Sequence, residues 1–220
     1  MPVSEFHGQV AAIALRAAAP HGFALGGGNA LIAHGVIDRA TQDVDVFSDE
    51  QGGVAAAADA VDAALRESGF GTDRRDETAS LADIFYGIGE GLAEWIVTAP
   101  SGEQMLLQLA YFDRARKPVV MDVGPVLDLE DVVGGKMCAL ASRVEPRDYV
   151  DVAAALGRYS REQMIGFARR LDPGLTDSDF ADAARRLDQW GDRVRPLQAQ
   201  PGRCRAAAGA LRLLAQKLTS

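Results

Sequence analysis

The segment "GGGNALIAHGVIDRATQDVDVF", residues 26–47, brings three consecutive glycines, an asparagine and the aspartates Asp43 and Asp45 into one short stretch. A glycine lets backbone N–H groups come close to a ligand, and a helix starting beside it adds a favourable field for an oxyanion. Asp43 and Asp45 alternate with Val44 and Val46, so on a strand both carboxylates leave the same face. Two such charges repel unless a cation or hydrogen-bond donors lie between them. Magnesium held by two carboxylates and a substrate phosphate meets that requirement. The segment therefore reads as a seat for a metal-bound nucleotide, with Gly27, Gly28 and Asn29 toward the phosphates and Asp43 and Asp45 toward the metal. Two other glycine loops are excluded by spacing: there is no G-x-x-x-x-G-K-[ST], and no G-x-G-x-x-G followed by a ribose-binding acid.

A second group of charges lies in "GGKMCALASRVEPRDYVDV", residues 134–152. Lys136 and Arg143 are seven residues apart, about two helical turns, and so share a face. Asp148 and Asp151 are three apart and share a face of the next helix, with Pro146 between the two. Such faces can form a salt-bridge network or bind a ligand. Gly134 and Gly135 weaken a helix and predict room for something bulky beside Lys136.

These residues need elements to hold them. Periodicity predicts a helix over 4–18 with Ser4 as N-cap, a short strand "FALG", a helix from Asn29 to His34 stopped by Gly35, and a strand "DVDVF". "VAAAADAVDAALRESG" is an alanine-rich helix closed by Gly69. "LAEWIVTA" and "EQMLLQLAYF" read as a hairpin turning at Pro100, Ser101 and Gly102. Residues 73–91 carry no assignable pattern. After Asp128, "LEDVVGGKMCALASR", "RDYVDVAAALGRY", "SREQMIGFARRL", "SDFADAARRLDQW" and "RCRAAAGALRLLAQKL" are all helical in period, with Pro146, Pro173 and Pro196 between them. A mixed α/β part followed by a helical part is an α+β arrangement, and an interface between the parts is a natural place for a cleft.

The chain has 220 residues, 48% of them hydrophobic and 25% charged, as in an ordinary globular protein. Cys138 and Cys204 lack any ligand or framework spacing and read as reduced, which places the chain in the cytoplasm. No apolar run suits a membrane span, and "VAAIALRAAAP" contains Arg16 and follows Glu5, unlike a signal core. The net charge of −8 argues against a general nucleic-acid coat protein and leaves room for a local basic groove.

With these motifs in hand a resemblance is evident. "LGGGNALIAHGVIDRATQDVDVF" is similar to the signature of DNA-polymerase-β-like nucleotidyltransferases, and "GGKMCALASRVEPRDYVDV" resembles the second half of the AbiEii/AbiGii toxin-type members. Together they span Leu25 to Val152. The resemblance implies an N-terminal mixed-sheet nucleotidyltransferase core over 1–125 and a C-terminal helical bundle over 126–220 that shares the active-site cleft. It implies that Gly27, Gly28 and Asn29 hold a triphosphate, with Asn29 where serine or threonine is more usual. Asp43 and Asp45 would bind Mg2+, and Lys136 would meet the triphosphate. Asp148 would orient or deprotonate the attacking hydroxyl, or bind the nucleotide sugar, with Asp151 beside it. A third carboxylate common in this fold is replaced by Gln108, which favours one metal or help from Asp148 or Asp151.

The activity so implied is transfer of a nucleoside monophosphate from a nucleoside triphosphate to a hydroxyl. The setting is a toxin–antitoxin system, with a tRNA 3′ end as acceptor and a cognate antitoxin as partner. A small-molecule or protein acceptor, or a degenerate scaffold that only binds, are the alternatives. Arg39, Arg114, Arg116 and Arg143 are candidates for contacts to a polyanion. His34 is expected to be a buried, hydrogen-bonded histidine, and Trp95 and Trp190 core or interface residues. His7 and His21 belong to no motif.

Overall fold

The computed structural model describes residues 5–75, 91–142 and 145–190, the side chains of Pro146 and residues 187–190 excepted. The chain divides into two compact units, Met1–Asp128 and Leu129–Ser220.

The first unit is built on a seven-stranded mixed sheet. Its strands are β1 (Ala24–Leu25), β2 (Asp43–Ser48), β3 (Gly71–Arg75), β4 (Leu92–Thr98), β5 (Gln104–Tyr111), β6 (Val119–Met121) and β7 (Gly124–Val126), in the order β3-β4-β5-β2-β1-β7-β6. The pairs β2–β5 and β1–β7 are parallel and the rest antiparallel. Register puts Val44 beside Leu107 and Val46 beside Leu109, with Trp95 beside Leu107 on the far side. All five are fully buried. They form the apolar face of the pleat, which α1 (Glu5–Ala17) and α3 (Gly53–Glu67) cover. Each helix presents a stripe at helical spacing: Phe6, Val10 and Ala14 on α1, and Val54, Ala57, Ala58, Val61 and Leu65 on α3. The alternate residues of β2, Asp43 and Asp45, are half-buried on the opposite face.

The short helix α2 (Gly27–Ala33) follows β1 directly. It starts two residues earlier than periodicity predicts. It ends as expected at Gly35, which takes the left-handed conformation at φ +67°. The hairpin of β4 and β5 lies where the sequence places it. β3 and the β6–β7 hairpin have no counterpart in the sequence reading. "GTDRR" lacks apolar alternation because β3 is a sheet edge, where charge is favoured, and its pairing comes from β4. The strands β6 and β7 have three residues each, too few for a period to register.

The second unit contains α4 (Leu129–Ser142), α5 (Pro146–Ala155), α6 (Arg161–Leu171) and α7 (Asp177–Trp190). Pro146 is the first residue of α5, where its missing N–H has no helical partner to lose. Ser160 and Gln163 form a reciprocal capping box at the start of α6. Tyr149 is fully buried and its hydroxyl donates to the Ala183 carbonyl at 2.7 Å, tying α5 to α7. Burial pushes that phenol up to about 12. The expected helix over "RCRAAAGALRLLAQKL", with Cys204, lies outside the described residues, as do Arg143 and residues 76–90. The side chain of Trp190 also lies outside them. No helix among the described residues is long and apolar enough to cross a membrane.

Gly134 belongs to the packing of α4 on α6. A Cβ there would meet Leu171 Cδ1 and the Phe167 carbonyl oxygen, each at 2.9 Å. The bulky neighbour expected beside this glycine is thus the backbone of α6. Overpacking of ~1–3 kcal/mol against an unyielding helix outweighs a propensity gain of about 1 kcal/mol. Gly134→Ala should therefore lower the urea midpoint. Gly166, on α6, has nothing within 4 Å of its Cβ position. Gly166→Ala should raise stability by about 0.5–1 kcal/mol. Parallel urea melts of the two variants check both signs.

Candidate active site

Three glycines and three side chains interlock at the start of α2. A Cβ on Gly26 would lie 2.2 Å from the Phe47 ring, and one on Gly28 would lie 2.6 Å from Thr41 Cγ2. Gly27 takes φ +56°, and its Cβ would fall 1.8 Å from Asp45 Oδ2. Gly27 is thus required twice, by its left-handed backbone and by the carboxylate resting on it. Two hydrogen bonds fix the aspartate strand to this turn. The Gly26 N–H donates to the Asp45 carbonyl at 2.8 Å, and Asn29 Nδ2 donates to the Asp43 carbonyl at 2.7 Å. Asn29 Oδ1 accepts from the Thr41 hydroxyl at 2.7 Å.

Asn29 is buried, and both ends of its carboxamide are engaged within the protein. Its side chain positions β2, a role its residue type alone did not reveal. The N–H groups of Gly27, Gly28 and Asn29 are the first of α2, where a helix supplies no internal acceptor.

Asp43 and Asp45 lie one residue apart on the half-buried face of β2. Two carboxylates with no soft donor suit a hard cation that completes its shell with water and phosphate oxygens. Among the described residues no three His, Cys, Asp or Glu side chains are grouped to hold a metal. Gln108 is beside Asp45 in register on β5, so the third position on this face is an amide.

In the second unit, Lys136 on α4 meets both predicted aspartates of α5. Its Nζ is 3.4 Å from Asp148 Oδ1 and 2.9 Å from Asp151 Oδ2. The two carboxylate side chains have no exposure and the lysine 11%. One cation thus faces two anions away from water. Cys138, also on α4, is half-buried, and burial followed by the Asp172 charge pushes its thiol up to about 11. A thiol so shifted is protonated at neutral pH.

The remaining candidates separate clearly. The Arg39 guanidinium lies beside Gly28, with Nη2 3.6 Å from where a Cβ would be. Arg114 pairs with Asp49 and donates to the Gly22 carbonyl at 2.9 Å, a tie within the first unit. Arg116 lies 3.8 Å from Asp128. His34 is half-buried and donates Nε2–H to the Leu127 carbonyl at 2.8 Å, a structural histidine as expected. His21 pairs with Glu50, and Trp95 is wholly in the core.

Residues 11–172 match the model of the family described as "Nucleotidyl transferase AbiEii toxin, Type IV TA system". The chain belongs to the AbiEii family. It is a nucleotidyltransferase toxin of that toxin–antitoxin class, with the polymerase-β superfamily fold. No curated protein sequence matches it significantly. Two solved structures share the fold. JHP933 from Helicobacter pylori has a TM-score of 0.59 at 15% identity, covering 99% of this chain and 95% of its own. MenT4, a nucleotidyltransferase toxin from Mycobacterium tuberculosis H37Rv, also scores 0.59 at 15% identity, covering 98% and 83% respectively. The mixed sheet followed by a helical bundle in this AbiEii chain is the architecture expected from its motifs.

Removing Lys136 would take a shared cationic partner from two buried carboxylates. Breaking a buried ion pair by deleting one partner costs about 3–5 kcal/mol. Lys136→Ala should therefore destabilise the protein by that order in chemical denaturation. Lys136→Ala combined with Asp148→Asn and Asp151→Asn should recover part of the loss.

Proposed function

We propose that this AbiEii chain moves a nucleoside monophosphate from a nucleoside triphosphate to the 3′-terminal hydroxyl of a tRNA, releasing pyrophosphate. The observation that carries the reading is the pair Asp43 and Asp45 on one strand face, with the Asp45 carboxylate resting on the glycine turn. Asp43 and Asp45 hold Mg2+ in this reading. When bound, the ion neutralises charge at the α-phosphate. The N–H groups of Gly27, Gly28 and Asn29 bind the β- and γ-phosphates, and Lys136 adds positive charge for the same group.

Asp148 orients the acceptor hydroxyl and takes its proton as the new oxygen–phosphorus bond forms and the bond to pyrophosphate breaks. Asp151 serves nucleotide binding and shares Lys136 with Asp148. Catalysis of this kind is positioning plus electrostatics. The reaction takes place in the cytoplasm, and a cognate antitoxin is the controlling partner.

A polyanion bound by an acidic protein must use local contacts. Arg39 beside the glycine turn and Arg116 near Asp128 are the described arginines best suited to them. Binding through so few phosphate contacts weakens as salt rises, because condensed counterions are no longer released at a gain. Total RNA incubated with Mg2+ and each labelled triphosphate should show salt-sensitive labelling of tRNA 3′ ends. Asp43→Asn and Asp45→Asn should each abolish labelling. Without metal they should melt at or above the wild-type temperature, since one of two like charges is gone. Labelling of a protein or small molecule in place of RNA would remove the tRNA assignment. Absence of pyrophosphate release with every acceptor would remove the transferase reading.

A further inference from the structure

The strand that carries the aspartates outruns its neighbour. β1 has two residues, which pair antiparallel with β2 as Ala24 with Phe47 and Leu25 with Val46. The Gly26 N–H extends that ladder by one bond, to the Asp45 carbonyl at 2.8 Å. Hydrogen-bonded positions alternate along an antiparallel ladder, so the next donor on this line would come from residue 28, opposite Asp43. Residue 28 lies in α2 instead. The Asn29 side chain supplies the missing donor, with Nδ2 2.7 Å from the Asp43 carbonyl oxygen. One carboxamide thus stands in for a strand residue where the sheet gives way to the glycine turn.

That carboxamide has one usable orientation. A carbonyl only accepts, so the nitrogen end must face Asp43 and the oxygen end must face away. Asn29 is only 3% exposed, so its oxygen needs a donor from the protein. The Thr41 hydroxyl provides it, at 2.7 Å. Thr41 lies two residues before Asp43, on the chain that enters β2. The segment therefore closes on itself, from Thr41 to Asn29 and from Asn29 to Asp43. The other branch of Thr41 has a different neighbour: Cγ2 lies 2.6 Å from where a Cβ on Gly28 would be. Hydroxyl and methyl group serve separate contacts, and substitutions can separate them.

We infer that Thr41 is a positioning residue of the site. Its hydroxyl locks the Asn29 carboxamide onto the Asp43 carbonyl and so fixes the backbone that carries the Asp43 carboxylate. The inference rests on the proposed metal role of Asp43 and Asp45.

The test is binding of Mn2+ to the full, nucleotide-free chain, read by electron paramagnetic resonance of the free ion. Thr41→Val keeps a methyl group beside Gly28 and removes the hydroxyl. It should weaken Mn2+ binding about 10-fold, the lower end of the loss seen when groups behind metal ligands are removed. Thr41→Ser keeps the hydroxyl and removes the methyl group, and should bind Mn2+ as the wild type does. In an Asn29→Ala background Thr41→Val should add nothing further, because the hydroxyl acts through the carboxamide. An undiminished effect of Thr41→Val in that background would overturn the inference. So would wild-type affinity in Thr41→Val, or a loss in Thr41→Ser as large as in Thr41→Val. With binding still lost in Asp43→Asn, each of these results leaves the metal assignment of the aspartates intact. Absence of Mn2+ binding in the wild type, or wild-type binding in Asp43→Asn, would overturn both. Urea melts of each variant establish that folded protein is being compared, and the contrast between valine and serine decides the question even where Asn29→Ala does not fold.

Discussion

The contact on which the candidate site depends is the close approach of the glycine turn to the aspartate strand. No side chain other than hydrogen fits at Gly26, Gly27 or Gly28 without displacing Phe47, Asp45 or Thr41. The approach lets one backbone N–H and one buried carboxamide grip the carbonyls of Asp45 and Asp43. The aspartate backbones are thereby held along the β1 edge of the strand, while Val44 and Val46 anchor its buried face in the core. A strand fixed at an edge and at one face presents its carboxylates with little freedom, which is what a site working through electrostatic preorganisation requires. What the glycines provide is first of all a fit between two elements of the protein.

The helical unit solves a different electrostatic problem. Two carboxylates without solvent exposure share one lysine. Buried ion pairs seldom add stability over a well-packed apolar core, because desolvation offsets their attraction. Lys136, Asp148 and Asp151 are also the residues on which the resemblance to the AbiEii motifs rests. The surroundings are tightly built: Gly134 seats α4 against α6, and Tyr149 bonds α5 to α7. The charges are thus set in a rigid frame.

The pleat of the sheet sorts these roles with little ambiguity. One face of β2, β4 and β5 lies beneath α1 and α3 and is apolar apart from Ser48 at the end of β2. The other carries the aspartates, Gln108 and Glu94. A one-residue slip of register would exchange the two faces, so the core that stabilises the unit also specifies where its polar row lies.

Much of this was legible in the residues alone. The alternation in "DVDVF" determined that the aspartates share a face, because a strand has a period of two. The period in the alanine-rich segment and between Asp128 and Trp190 determined the helices described there, and the hairpin around Gly102 followed from its turn residues. Local pattern carries such information because it reflects one element facing one core. It does not carry the edge strand β3, whose pairing comes from β4, or the three-residue strands β6 and β7. It could not show that Asn29 clamps the Asp43 carbonyl, that Gly134 makes room for α6, or that Lys136 touches both aspartates. Nor could it place Glu94 beside Gln108, since fourteen residues separate them along the chain and only antiparallel register brings them together. Spacing within an element is set by covalent geometry and is readable from the sequence; the partner a side chain meets across elements is set by packing, and only the tertiary structure decided it.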